Sequence, residues 1–234
     1  MSDSLDKAST IAPAETIDPV FVQRVAQALD EMYGPRLWQS RGRPVDVLVE
    51  TVLSQNTSDV NSARAFRSLL DRFGSLEAVA DAPVEEIEQS IAHAGLSRIK
   101  SARIRKMLAH LLAENGSLDL SFLRERGVSA ARDYLTSIDG VGLKTASCVL
   151  LFSLDMPAMP VDTHVHRVAR RLGLISSRTS ADAAHQALES LVPENRRYAF
   201  HLNLIEHGRR VCHARRPRCE SCGLSGFCPS SFRA

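Results

Sequence analysis

The sequence predicts an all-α fold, and three observations carry that prediction. Apolar residues recur at i, i+3, i+4 and i+7 along most of the chain, the signature of helices with one buried face. Glycines and prolines divide those runs into segments of ordinary helix length. No window alternates apolar and polar residues as a half-buried strand would. With 234 residues, of which 44% are hydrophobic and 24% charged, the chain can build one large domain or two small ones.

In chain order, residues 1–18 are rich in Ser, Ala and acids and are expected to form a flexible tail. Val22, Val25, Ala26 and Leu29 mark one face of a first helix, which Gly34-Pro35 stops. A second helix starts at Pro44, where a missing N–H is tolerated, and buries Val45, Leu48, Val49, Val52 and Leu53. Helices over 59–73, 75–81, 84–93, 98–114 and 129–137 follow, punctuated by Gly74, Pro83, Gly95 and Gly116. From Leu143 to Leu154 the chain is apolar on nearly every side, as a helix central to a core must be. Asp155, Pro157 and Pro160 end it; the next helix opens at Asp162 and carries Val165, Val168, Ala169 and Leu172. Helices over 180–191 and 194–207 precede a cysteine-rich end.

Several function classes drop out. No apolar run approaches the roughly 18 residues of a membrane span. The acidic N-terminus resembles neither a secretory signal nor a transit peptide, so a cytoplasmic protein is expected. The net charge of +2 names no partner, but arginines crowd the stretch Arg209, Arg210, Arg215, Arg216 and Arg218, where a solvated face and a phosphate-binding face are both open. The lysines are only Lys7, Lys100, Lys106 and Lys144.

Of five cysteines, Cys148 stands alone, while Cys212, Cys219, Cys222 and Cys228 are packed at the C-terminus. Thiols spaced this tightly in a reducing compartment suggest a metal centre, and four thiolates suit either zinc or an iron–sulfur cluster. Zinc ribbons more typically show two separated CxxC pairs, and only one is present.

The stretch Ile138-Asp139-Gly140-Val141-Gly142-Leu143-Lys144-Thr145-Ala146 puts two glycines between a helix end and the start of the core helix. Such a turn lets backbone approach a ligand, and the free N–H groups of the following helix start favour an anion such as a DNA phosphate. Lys144 is a cation at the positive end of that helix. To act as a nucleophile its amine must be neutral, although free lysine titrates near ~10.4; otherwise it serves as a point charge or reaches solvent. Val161-Asp162-Thr163-His164 follows, with Asp162 eighteen positions after Lys144. Asp162 is an expected N-cap; if the two helix starts meet across a cleft, it can also take the lysine's proton and stabilise a cationic sugar. His164 and His166 lie on different helix faces and make a poor metal pair.

Taken together, the hairpin motif, the Val-Asp-Thr-His motif at that spacing and Cys-x6-Cys-x2-Cys-x5-Cys resemble the endonuclease III family of the helix-hairpin-helix DNA glycosylase superfamily, over residues 20 to 228. The resemblance implies a six-helix barrel over about 40–157, and a second domain built from 19–39 with 158–234 that holds a [4Fe–4S] cluster on Cys212, Cys219, Cys222 and Cys228. It implies a monomer acting on double-stranded DNA with damaged bases or abasic sites, bound in the cleft between the domains. Lys144 corresponds to the nucleophile that forms a Schiff base at C1′, and Asp162 to its acidic partner. Gly140, Val141, Gly142, Thr145 and His164 correspond to DNA-binding positions. Gly95-Leu96 resembles the family's wedge, with Lys100 near it as a phosphate contact. The family usually has glutamine at the position of Asn56, which stands beside Gln55 in the loop that meets the orphaned base, and proline at the position of Asp139. The expected activity is a bifunctional glycosylase and abasic-site lyase acting on oxidised pyrimidines. A mismatch-specific monofunctional glycosylase and a non-catalytic DNA-binding module are the alternatives; Lys144 argues against the first, and its pairing with Asp162 against the second.

Overall fold

The computed structural model describes residues 17–231, which fold into eleven α-helices without a strand. Of the expected tail, residues 1–16 lie outside the described residues, whereas Asp18 caps the first helix by accepting from Val20 N–H at 2.9 Å. The helices are α1 (Pro19–Tyr33), α2 (Pro44–Ser54), α3 (Asp59–Phe73), α4 (Leu76–Asp81), α5 (Val84–Ser90) and α6 (Ser97–Asn115). They continue with α7 (Gly127–Ser137), α8 (Leu143–Ser153), α9 (Thr163–Arg171), α10 (Ala181–Leu191) and α11 (Arg197–Arg210).

Their starts follow local chemistry. Ser58, Ser75, Asp162 and Ser180 each accept a backbone N–H of the first turn, satisfying one of the donors a helix start leaves free. The structure departs from the sequence expectation in two places. The predicted helix over 84–93 stops at Ser90 and tightens into a 3₁₀ turn over Ala92–Ala94. A further 3₁₀ segment, Ser121–Arg126, lies where no apolar period marks a helix; it buries Leu123 and packs Phe122 edge-on against Tyr134.

Two apolar cores result. One gathers α2 to α8 from Val45 to Ala158, with α8 running through it and every residue from Thr145 to Ser153 buried. Each fully buried Leu, Val or Phe there contributes about 1.5–3 kcal/mol relative to exposure, so α8 is costly to displace. The other combines Val22, Val25 and Leu29 of α1 with Met159 to Leu224, so the two chain ends share one lobe. Among the described residues no helix is long and apolar enough to cross a membrane.

The crossover from Leu154 to Asp162 joins the lobes and lacks regular hydrogen bonds of its own. Side chains from the second lobe satisfy it: Arg197 donates to Pro157 O, Glu189 accepts from Met159 N–H at 2.8 Å, and Nδ1 of His185 and His201 meet Met159 O and Pro160 O at 2.9 Å each. Glu189 is itself paired with Arg132 of α7, from the first lobe. This tied crossover is what sets the position of the α9 N-terminus.

Candidate active site and cluster loop

The turn before α8 is built from inside outward. Ile138 and Val141 are both core residues, and Val141 N–H donates to Ile138 O at 3.0 Å. Val141, expected at the DNA, is therefore the plug that anchors the turn: its side chain, 5% exposed, faces away from any ligand. Gly140 has φ +82°, and a Cβ there would stand 2.6 Å from Arg103 Cδ, so both conformation and space demand glycine. Gly142 needs neither, with φ −91° as the N-cap of α8; the space a Cβ would occupy is open. Because the first intrahelical bond is Ala146 N–H to Gly142 O, the N–H groups of Leu143, Lys144 and Thr145 lie in the unsatisfied first turn. Thr145 is 4% exposed, so its hydroxyl is not available to an anion. Asp139, the carboxylate in this turn, is paired with Lys106 at 2.6 Å, which holds it below the usual carboxylate range and offsets its repulsion of phosphate.

Lys144 and Asp162 share a cleft. From Lys144, α8 runs inward at about 1.5 Å per residue, and the extended crossover returns at up to about 3.3 Å per residue, so the chain has ample length to bring Asp162 back beside its start. Both residues are half-buried and line a cavity of about 350 Å³, and both also line an adjoining groove of about 690 Å³. The cavity is walled by four helix stripes: Val47, Glu50, Thr51 and Ser54 of α2; Asp59, Ser62 and Ala63 of α3; Lys144, Cys148 and Phe152 of α8; and His201, Ile205 and Arg209 of α11. The groove adds Gln55, Asn56, Thr57, His164 and His166. Asp162 uses Oδ1 to accept Val165 N–H at 2.7 Å, so the expected cap is present.

Burial dominates the electrostatics. It pushes His201 down to about 4, against the partly offsetting Asp162 carboxylate, so this imidazole is neutral at physiological pH; Lys144 and Arg41 lower it further. Burial pushes the Cys148 thiol up, in the opposing fields of Lys144 and Arg41. Glu50 is also raised by burial, then by Asp46, and Arg41 pulls it back. Arg41 is held by its N–H to Phe152 O at 2.9 Å and stacks 3.8 Å over the Phe152 ring. Glu50, Arg41 and His201 carry no local motif; only helical spacing on α2 and α11 could have hinted that they face the site.

The two loops beside the groove are strained and tied together. Asn56 and Leu96 have φ of +54° and +51°, an arrangement that costs of the order of 1–3 kcal/mol for each such residue. Asn56 is exposed, and so is Leu96 at 54%. The sequence expectation for Lys100 is corrected here: it is 2% exposed, and its ammonium donates to Leu53 O at 2.6 Å and Ala94 O at 2.7 Å. It therefore faces away from any phosphate and clamps the two loops at their bases. One turn further along α6, Arg103 donates to Gln55 Oε1 at 2.9 Å while packing on Gly140, so α6 also links the Gln55 loop to the hairpin. His164 Nδ1 lies 3.0 Å from the Arg167 guanidinium, which also donates to Gly208 O and Cys212 O. Arg209 of the basic stretch pairs with Asp59 at 2.8 Å across the cleft mouth. Tyr33, Trp38 and Tyr198 are used in packing: they contact His207, Leu151 O and the Phe152 edge.

The four C-terminal cysteines form no disulfide and line one small cavity, with Val168, Leu172 and Leu224 as apolar wall. Four sulfurs around one cavity suit a multi-atom iron–sulfur cluster. Donors to sulfur are in place: Arg171 reaches Cys212 Sγ at 3.3 Å, and His207 Nε2 lies 3.6 Å from Cys222 Sγ. With Cys222 as thiolate, the His207 proton sits on Nε2 and Nδ1 accepts the Tyr33 hydroxyl at 2.9 Å.

Comparison with known proteins agrees with this geometry. Residues 49–194 match the model of the HhH-GPD superfamily base excision DNA repair proteins, and residues 212–228 that of the iron-sulfur binding domain of endonuclease III. Endonuclease III of Thermotoga maritima is 35% identical over 79% of this chain and 82% of its own, and that of Bacillus subtilis 32% identical over 79% and 80%. A solved non-covalent endonuclease III–DNA complex superposes with a TM-score of 0.79 at 28% identity, covering 92% of this chain and 97% of that one. A trapped endonuclease III–DNA covalent intermediate gives 0.78 with the same coverage.

Proposed function

The chain belongs to the endonuclease III family of base excision repair enzymes, a DNA-binding glycosylase with a [4Fe–4S] cluster, and on that premise we propose that it is bifunctional, removing oxidised pyrimidines and then cutting the strand. The observation that carries this reading is the shared cleft: Lys144 and Asp162, from the N-termini of two different helices, line the same cavity and the same groove. A monofunctional enzyme has no use for a lysine held there opposite a carboxylate.

In the proposed reaction the neutral Lys144 Nζ attacks C1′ of the extruded nucleotide. The C1′–N bond breaks, its electron pair leaves with the base, and Asp162 takes the proton that the lysine sheds. Asp162 then returns that proton to O4′ as the C1′–O4′ bond breaks and the ring opens to a protonated imine, which acidifies the C2′ proton; its loss expels the 3′ phosphate by β-elimination. Asp162 suits this role because one oxygen is fixed by the α9 cap, which orients the carboxylate without consuming it.

The free N–H groups from Leu143 to Thr145, beside the open Gly142, are proposed to grip a DNA phosphate, with His164 along the groove. Leu96 is proposed as the wedge and Asn56 as the residue meeting the orphaned base; both are exposed on strained backbone that Lys100 holds. The lobe over 40–157 and the lobe formed by 19–39 with 158–234 would close on the lesion as a monomer. Cys212, Cys219, Cys222 and Cys228 hold the cluster, which ties the C-terminal loop to α9 and α11 and so supports the groove from behind.

Borohydride reduction tests the reading. Incubation with a duplex containing an abasic site should give a covalent adduct that maps to Lys144 and a nicked strand. Base release from damaged duplex without any adduct would overturn bifunctionality and favour the monofunctional alternative.

A further inference from the structure

The wall of the cavity beside Lys144 carries a carboxylate that the proposed reaction does not use. Val47, Glu50, Thr51 and Ser54 stand at i, i+3, i+4 and i+7, so one stripe of α2 forms a wall of the cavity, and Glu50 is the only charged group on it. Glu50 is half-buried and has no hydrogen-bond partner among the described residues; Asp46, one turn earlier, is instead engaged by Arg43 at 3.0 Å. A half-buried carboxylate that lines a cavity without a protein partner is available to accept a hydrogen bond from a ligand. Asp46 and Arg41 are its charged neighbours, and Arg41 shares with Lys144 the field on Cys148 and His201, so Glu50, Arg41 and Lys144 all bear on this one cavity. The Arg41 guanidinium sits 3.8 Å from the Phe152 ring centre and makes no side-chain hydrogen bond among the described residues, so its N–H groups are available to a ligand.

We propose that Glu50 and Arg41 read the extruded base, Glu50 accepting an N–H and Arg41 donating to the carbonyl oxygen beside it. The pocket would then select bases with a –CO–NH– edge, the imide edge of uracil- and thymine-type lesions. This specificity rests on the glycosylase reading given above. Sites built to hydrogen-bond a substrate group reject analogues lacking it far more strongly than apolar pockets discriminate by size, because their own polar groups are then left unpaired.

The test is single-turnover base release from duplexes carrying 5-hydroxyuracil or its N3-methyl analogue. The methyl group abolishes base pairing and so eases extrusion; any slower release must come from lost recognition. Wild-type enzyme should favour the N3–H substrate by at least about tenfold, the scale of one charge-assisted hydrogen bond. Glu50→Ala should bring that ratio to within about threefold and lower base release more than abasic-site cleavage, whereas Glu50→Gln, which keeps a carbonyl acceptor, should retain most of the preference. Cluster absorbance and melting temperature confirm that each variant is folded, and the isosteric glutamine variant serves if alanine is not tolerated. A wild-type enzyme indifferent to N3 methylation, or a Glu50→Ala variant that slows abasic cleavage as much as base release, overturns the proposal. Failure of borohydride trapping would instead overturn the lyase reading, since base release is measured without it.

Discussion

Lys100 and Lys144 stand in closely comparable places and do opposite things. Each sits in the first turn of a helix, α6 or α8, where the backbone dipole disfavours a cation. Lys100 is buried to 2% exposure and spends its ammonium on two carbonyls, those of Leu53 and Ala94. Lys144 is half-buried and faces a cavity that it shares with Asp162. The difference lies in what the surrounding chain offers: loop carbonyls with no other donor in one case, an open cleft with a carboxylate in the other. A cation at the wrong end of a helix marks a site of interest, and its neighbours decide whether that interest is structural or chemical.

The comparison can be broken most decisively at Lys144. Lys144→Gln should abolish trapping and nicking, a loss of at least about 10³-fold of the kind that removing a covalent nucleophile produces, while duplex binding persists. Lys100→Met should still be trapped; if the two variants behaved alike, the distinction would collapse. Asp162→Asn should bind DNA and lose about 10²–10⁴-fold in rate, because asparagine keeps the helix cap but cannot take the proton. Its melting temperature should stay near that of the parent, and a large drop would mean that the cap was the residue's main role.

Lys100→Met should reveal its cost in stability. Two buried carbonyls lose their donor, at about 1–3 kcal/mol each, enough to lower the melting temperature by roughly 4–24 °C. The salt dependence of duplex binding should be unaltered, whereas loss of a phosphate contact would reduce the log–log slope by about 0.9. Leu96→Ala should slow release of an intact damaged base several-fold, on the order of one inserted apolar side chain, and affect cleavage at an abasic site less. The smallest effect is expected at Lys106→Ala, which frees the Asp139 carboxylate in the hairpin and should weaken duplex binding no more than about fivefold, most visibly at low salt. Tighter binding by that variant would mean that Asp139 carries no repulsion worth offsetting.

Most of the helical architecture was legible in the sequence because apolar period, caps and glycine stops agree, as at Ser58 to Gly74 around α3. The 3₁₀ segment over Ser121–Arg126 was not, since three-residue turns carry no amphipathic period for a reader to find. Lys144, Asp162 and the four cysteines stand out because their types are conspicuous at their positions. Lys100, Val141 and Thr145 look equally suited to a ligand but face inward, and sequence order says nothing about the direction of a side chain on a short turn. Glu50, Arg41 and His201 come together from α2, the segment before it and α11, so no single window contains their arrangement.

The out-and-back path from Lys144 to Asp162 also makes their spacing a quantised one. A single residue inserted or deleted within α8 turns everything on one side of it by about 100° and shifts it by about 1.5 Å. With the buried stripe of α8 kept in register, the turn is forced onto its N-terminus, and Lys144 swings out of the cleft. A full turn of three or four residues restores the direction but moves the amine by about 5 Å along the helix. The crossover offers little slack, because its peptide groups are matched individually to Arg197, Glu189, His185 and His201. Length changes in this stretch are therefore expected to inactivate the enzyme even where every side chain is preserved, whereas the surface loop from 176 to 179 has room to vary.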